Sequence, residues 1–473
     1  MQLSVGASDG QIERPRKQQA HGSGLLLVLF CCAISMAWGL GLSRTGLVDF
    51  RAVYYGTRCL MAHHNPYHLS EYEAVYRAEG GQLTSETAAQ HQAVTLFVNM
   101  PTTCVVVAPL AVLPWGPAHV LWMIATAIIF ALAILLIWNL GARHAPGVAT
   151  FLVCILAVNC ETVFGGGNTA GIVVGLCVVA AWCFVEERFV LVGVVALGLA
   201  LAMKPHDVGF VWLYFLVAGA PYRKRALQAL LVTAVLGLTA VAWVGHVAPH
   251  WIHDWSANMA TISGRSGINN PAPDSLTGRT SGMVIDLQAA ISVFRDDPAL
   301  YNPASYFVCG AMLLVWLATT LRSRVSERKL WLALTAVTAV TLLITYHRPW
   351  DAKLLLLAIP ACCLLWAEGG KTGRTALAVT ALALLCTGDL PLAILSALSG
   401  ALHVGTAGIF GQMLTVALIR PASIALLALG GFYLWEYVRR STAFGGLTKA
   451  GKQSKVVVAL EPACPPSLAE RRV

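Results

Sequence analysis

The sequence predicts an all-α protein, a polytopic membrane bundle of about twelve transmembrane helices, and three observations carry that expectation. Of 473 residues, 57% are hydrophobic and only 12% charged, with a mean hydropathy of +0.68. A soluble domain carries about 25% charged residues. Apolar stretches long enough to cross a bilayer recur from near residue 24 to near residue 437, which leaves no room for a separate soluble module. The lysines and arginines behind the net charge of +9 fall in short clusters between those stretches. That is the pattern that sets membrane topology, and it argues against nucleic acid as a partner.

The first apolar run, 24–42, follows Arg14, Arg16 and Lys17. It is too long for the apolar core of a signal peptide and reads as a retained first helix, with residues 1–23 a cytoplasmic tail. Further spans are expected over 117–140, 147–163, 168–185, 189–203, 206–220, 226–246, 304–321, 330–346, 351–367, 375–395 and 408–437. With the N-terminus inside, Arg143, Arg188, Arg223-Lys224-Arg225, Arg322 to Lys329, and Lys371 with Arg374 all face the cytoplasm, as the positive-inside rule requires. Residues 438–473 then form a second cytoplasmic tail, read as disordered from Ser441. The protein is thus expected in the cell membrane as a multi-pass chain, with 24–437 as its membrane domain. Pro101 to Pro114 is apolar but would be only about 21 Å long as a helix. It reads as re-entrant or interfacial on the outer side, since counting it as a span would turn every later basic cluster outward.

The same topology gathers the unusual polar residues on the outer face, in loops 43–100 and 246–303 and in the turns Lys204–Asp207 and His347–Asp351. The stretch Leu47–Tyr67, LVDFRAVYYGTRCLMAHHNPY, roughly fits an amphipathic helix on the membrane surface. Asp49 sits just ahead of it. It is either a helix cap or a base over a site at the lipid edge, and the residues alone leave both open. Asn65-Pro66-Tyr67 ends the helix as a turn.

Lys204 follows GVVALGLALAM with no other charge nearby. It either snorkels or serves a function, and a cation on the outer side favours function, suiting a lipid-linked phosphate. His206 and Asp207 either neighbour it or start the next helix. In the turn Tyr346–Asp351, Arg348 and His347 are the candidates, because the planar guanidinium binds phosphate oxygens in pairs. Tyr346 and Trp350 fit an aromatic belt. Glu161 and Gly165-Gly166-Gly167-Asn168 mark an outer break whose glycines admit close approach. That run lacks the Lys-Ser/Thr ending of a phosphate loop. Loop 246–303, with Arg265, Asp274, Arg279 and Asp286, either covers a substrate or only connects. The 13 cysteines show neither metal nor disulfide spacing, and no metal or cofactor motif is present. A transporter or flippase would share this polytopic character, but it should show internal repeats and mid-span polar residues, and neither is found.

The ordered motifs carry a resemblance. VDFRAVYYGTRCL followed by NPY resembles the Asp-Phe…Tyr-Tyr…Asn-Pro-Tyr signature after the first helix of family 87 glycosyltransferases, integral membrane enzymes of the GT-C class. VAPLAVLPWGPAHVLW, GGNTAG, LALAMKP and YHRPWDAKLLLL resemble later elements of that family, in order, from about residue 24 to 367. The resemblance implies a GT-C-like bundle that moves a mannose- or arabinose-like sugar from a polyprenyl-phosphate donor to a glycolipid or glycan hydroxyl on the outer, periplasmic or extracellular, face. Asp49 would be the general base. Lys204, Arg348 and Arg51 would hold the donor phosphate, with His347, Asp351, Tyr54, Tyr67, His206 and Asn168 around the substrates. Asn168 stands where the family usually has glutamine, and nothing after Leu390 matches it.

Overall fold

The computed structural model describes residues 13–43, 48–81, 96–265, 267–273, 275, 283–402 and 408–450, and every regular element among them is helical. Asp274 and Arg279 of loop 246–303 lie outside the described residues. The first half runs α1 (Glu13–Ser43), α2 (Val48–Met61), α3 (Leu69–Ala78), α4 (Pro101–Ala111), α5 (Trp115–Ala142) and α6 (Pro146–Ala157). It continues with α7 (Glu161–Gly166), α8 (Thr169–Val185), α9 (Val190–Met203), α10 (Pro205–Val217), α11 (Tyr222–Val247) and α12 (Trp251–Ser263). Then come α13 (Leu287–Phe294), α14 (Pro298–Arg322), α15 (Glu327–Ile344) and a 3-10 segment (Asp351–Leu357). The chain closes with α16 (Ala358–Glu368), α17 (Gly370–Cys386), α18 (Asp389–Leu402), α19 (Gly408–Leu418) and α20 (Pro421–Ala450). That last helix runs past Ser441, where the sequence reads as a disordered tail.

Among the described residues, five helices can cross a membrane by length and composition, against the twelve expected. They are Gly22–Gly41 within α1, α5, α11, α14 and Pro421–Thr442 within α20. A sixth arises if α17 and the start of α18, bent by 68°, count together. Most of the other expected spans are real helices of insufficient length. α9 has 14 residues and α10 has 13, about 20 Å each against a hydrocarbon core of about 30 Å. The sequence reading divides the chain at Lys204-Pro205 but counts each piece as a full crossing, which helices of 14 and 13 residues are too short to make. α4, with 11 residues, is likewise too short to cross.

The core is centred on α15, where every residue from Leu330 to Leu343 is buried. A helix apolar on all sides belongs inside a bundle, and α15 packs mainly along α20. α8 packs between α5 and α9. Large apolar side chains stay exposed on the outer faces of α5, α11 and α14, among them Ile128, Leu238 and Phe307. Such faces are satisfied by lipid tails. α2 is indeed a helix, but it does not lie open on a surface. Phe50 stacks on Trp122 at 4.5 Å between ring centroids, and Tyr72 of α3 donates to the Ala52 carbonyl at 2.8 Å.

Three breaks in the helical path position polar side chains. α7 ends on Gly167 in the left-handed region (φ 62°), a conformation glycine adopts without strain, and Asn168 then caps α8 by accepting from the Ala170 amide at 2.8 Å. α9 and α10 share a single cap residue, Lys204, with Pro205 opening α10. Thr102 and Thr103 of α4 donate to the Ala202 and Met203 carbonyls that end α9. Between α15 and the 3-10 segment lies the turn at His347–Trp350, tied to the segment before α13 by the Ile285 amide donating to the His347 carbonyl at 3.0 Å.

Candidate active site

These breaks open onto one cavity of about 280 Å³. Asp49 from α2, Asn168 at the start of α8, Lys204 and His206 at the α9–α10 break, and Arg348 from the turn after α15 all line it. α12 closes it with Trp255 and Met259, joined by Asn269 from the segment that follows. The Trp255 indole donates to the Val98 carbonyl at 2.9 Å, and Asn258 donates to the carbonyls of Tyr67 and Phe97 at 2.9 and 3.1 Å. The α12 part of loop 246–303 thus forms a wall of the cavity.

The cavity has an acidic edge and a cationic edge. At the first, Asn168 donates from Nδ2 to Asp49 Oδ2 at 2.8 Å, while its Oδ1 caps α8, so one amide fixes both helix and carboxylate. Gly166 stands so close that a Cβ there would lie 3.4 Å from Asp49 Oδ2. At the second, Lys204 Nζ meets Asp351 Oδ1 at 2.5 Å and Asp207 Oδ2 at 3.2 Å. The other oxygen of Asp351 accepts from the Arg348 amide at 2.8 Å, which fixes the turn. Arg348 donates to the Ile268 carbonyl and to Asn269 Oδ1, and its guanidinium sits 5.4 and 5.1 Å from the rings of Tyr346 and Trp350. Tyr346 and Trp350, expected as interfacial anchors, thus line the cavity and cradle its arginine.

Behind that edge, His347 is fully buried. Its Nδ1 donates to the Thr345 carbonyl at 2.8 Å, which turns Nε2 toward Asp207 Oδ1 at 3.5 Å. Burial works against a charge on His347, but Asp207, then Asp351 and the Thr345 carbonyl, outweigh it and raise its pKa. Lys204 follows the same logic: burial opposes its charge, and Asp207 and Asp351 hold it well above the ordinary lysine value. Of the two other cations at this edge, Lys204 is paired with Asp207 and Asp351, whereas the Arg348 guanidinium donates to neutral oxygens of Ile268 and Asn269.

Asp207, which the sequence left open as a neighbour of Lys204 or the start of the next helix, is both. It is buried and meets Lys204, His206 and His347. The i,i+3 spacing of Lys204 and Asp207 at a helix start was the available signal. Ligand atoms of His206, Asp207 and His347 lie within 4.8 Å of one another, close enough to share a metal. The Lys204 ammonium already sits against the same carboxylate, so the donor set fits an ion-paired network better than a cation site.

Of the other residues expected at the site, Asp351 and His347 form the wall behind it. Arg51 turns onto the Trp115 ring at 5.2 Å. The Tyr54 hydroxyl donates to the Leu113 carbonyl at 2.8 Å, and that of Tyr67 to the Asn99 carbonyl at 3.1 Å. The cavity's described lining does not include these three.

The sequence model of glycosyltransferase family 87 matches residues 97–345, more than half of the chain. The protein belongs to glycosyltransferase family 87. Comparison with curated proteins and with solved structures gave no match. A family 87 glycosyltransferase takes a sugar from a donor and gives it to an acceptor. The matched region contains Asn168, Lys204 and His206. Asp49 lies before it and Arg348 just after it, and what ties those two to the family region is their shared cavity.

Proposed function

We propose that the protein transfers a sugar, mannose- or arabinose-like, from a polyprenyl-phosphate donor to a hydroxyl of a glycolipid or glycan, with inversion, at the outer face of the cell membrane. The observation that carries this reading is the pairing of one carboxylate, Asp49, with the cations Lys204 and Arg348 around a single cavity. The acceptor hydroxyl attacks the anomeric carbon while Asp49 takes its proton. The bond from that carbon to the phosphate oxygen breaks, and the electron pair leaves on the lipid phosphate. Lys204 and Arg348 stabilise the charge that grows there. The Asn168 amide, bound to Asp49 Oδ2, orients the carboxylate and leaves Oδ1 for the acceptor.

Asp49→Asn tests this directly in membranes supplied with a polyprenyl-phosphate sugar. General-base catalysis is worth about 10²–10⁴-fold, so a kcat loss of at least about 100-fold is expected at unchanged expression. Undiminished transfer would remove Asp49 from the reaction. A transporter reading has no comparable observation behind it.

A further inference from the structure

Arg420, between α19 and α20, lies far beyond the family region, which ends at residue 345. Its side chain is buried. It donates to the carbonyls of Pro271 and Ala272 and, in α13, to the Ala289 carbonyl and Ser292 Oγ. Ser292 in turn donates to the Pro271 carbonyl at 2.8 Å. A guanidinium offers its donors in a fixed fork, so one side chain can hold two segments together. Burying a cation against neutral oxygens is costly. An apolar side chain would fill this corner at less cost, so packing alone does not call for an arginine.

What this clamp holds is the segment 268–272. The segment is also tied to the end of α12, where the Asn269 amide donates to the Ile262 carbonyl at 2.9 Å and Asn270 Nδ2 to the Gly264 carbonyl at 3.0 Å. Ile268 and Asn269 line the cavity and accept from the Arg348 guanidinium at 2.9 and 3.2 Å. The same corner steadies the backbone of the turn that carries Arg348. Ser423 Oγ, in the first turn of α20, donates to the Asp286 carbonyl at 2.6 Å, and the adjacent Ile285 amide donates to the His347 carbonyl at 3.0 Å. We infer that Arg420 is a positioning residue for Arg348, aiming its guanidinium at the donor phosphate by fixing segment 268–272; the inference rests on the donor class proposed above. The described lining of the cavity does not include Arg420, so its effect on the substrates passes through that segment. A long side chain ordered in advance loses less freedom when an anion binds, so this support lowers donor KM.

Arg420→Lys keeps the charge but cannot reach all four oxygens. In full-length enzyme assayed in membranes with a polyprenyl-phosphate sugar, it should raise donor KM at least about fivefold and leave acceptor KM within about twofold. In an Arg348→Lys background the same substitution should change donor KM by less than about twofold, because the side chain it aims is gone. A merely structural role would lower the folded fraction, and with it the apparent kcat, at unchanged donor KM. Unchanged donor KM, an equal rise in both KM values, or the full effect of Arg420→Lys in the Arg348→Lys background would overturn the proposal. Should Arg420→Lys not fold, Ser292→Ala removes one of the bonds and makes the same comparison. A rise in donor KM of at least about twofold, absent in the Arg348→Lys background, then supports the assignment, and no rise overturns it. Failure of the underlying donor reading looks different, because the unsubstituted enzyme would then transfer nothing from the polyprenyl-phosphate sugar.

Discussion

His347 couples the site to pH. Its pKa is raised, so it carries a charge to a pH above its ordinary value of about 6.5. Below that value the ion pair with Asp207 is complete, and it is lost as pH rises through the raised pKa. Donor KM should therefore increase, and the thermal midpoint fall, over a window that begins near pH 6.5 and extends upward. His347→Gln should flatten both profiles, and a profile unchanged by that substitution would exclude His347 as the titrating group. Lys204 holds two buried carboxylates apart, so Lys204→Met should destabilise strongly, on the order of 3 kcal/mol for an orphaned buried charge. The double variant Lys204→Met/Asp351→Asn removes one of those charges. It should recover much of the lost stability in thermal unfolding yet stay inactive, which separates holding the fold from holding the phosphate. Recovery of transfer in that variant would show that Lys204 is only structural. Lys204 and Arg348 could be found in the sequence because a charge at a membrane edge stands out. Asp207 could not be weighted in the same way, since an acid in the first turn of a helix is ordinary.

At the scale of elements, the 3-10 segment Asp351–Leu357 carries two ion pairs in opposite directions. Asp351 serves the cavity. Lys353 donates to the Asn159 carbonyl at the end of α6 and lies 3.7 Å from Asp389, whose other oxygen accepts from the amide and hydroxyl of Thr162 in α7. One acid thus ties the 68° bend between α17 and α18 to α7, which leads directly to Asn168 and Asp49. Asp389→Ala leaves Lys353 buried without a counter-charge and should cost about 3–5 kcal/mol. It should also lower kcat through the displaced Asn168, with a smaller effect on donor KM because Lys204 does not depend on it. A KM defect without a kcat defect would contradict that route. None of this was legible from the sequence, because a pair such as Lys353 and Asp389 shows no local pattern. The breaks at Lys204-Pro205 and His347–Asp351 were legible, since proline and clustered charge interrupt apolar runs visibly. What hydropathy could not give was the length of each helix between the breaks, and so twelve expected spans became five or six.

Over the whole molecule, the distribution of basic clusters makes a prediction about compartments. If the positive-inside assignment holds, the roof of the cavity faces outward and the α16–α17 turn faces the cytoplasm. His253 lies on α12 with its side chain 85% exposed, and Lys371 is exposed at the start of α17. The described cysteines are all buried or half-buried, so they should react little with a membrane-impermeant maleimide. In a Cys464→Ala background, His253→Cys should label in intact cells, whereas Lys371→Cys should label only after permeabilisation. The reverse result would turn the cavity inward and remove an outer-leaflet donor from the mechanism, although Asp49, Lys204 and Arg348 would still line one cavity. The chemistry of the site depends on those side chains sharing a space, and the identity of the leaflet depends on charges far from it. The two conclusions can therefore fail independently, and the labelling experiment bears on the second alone.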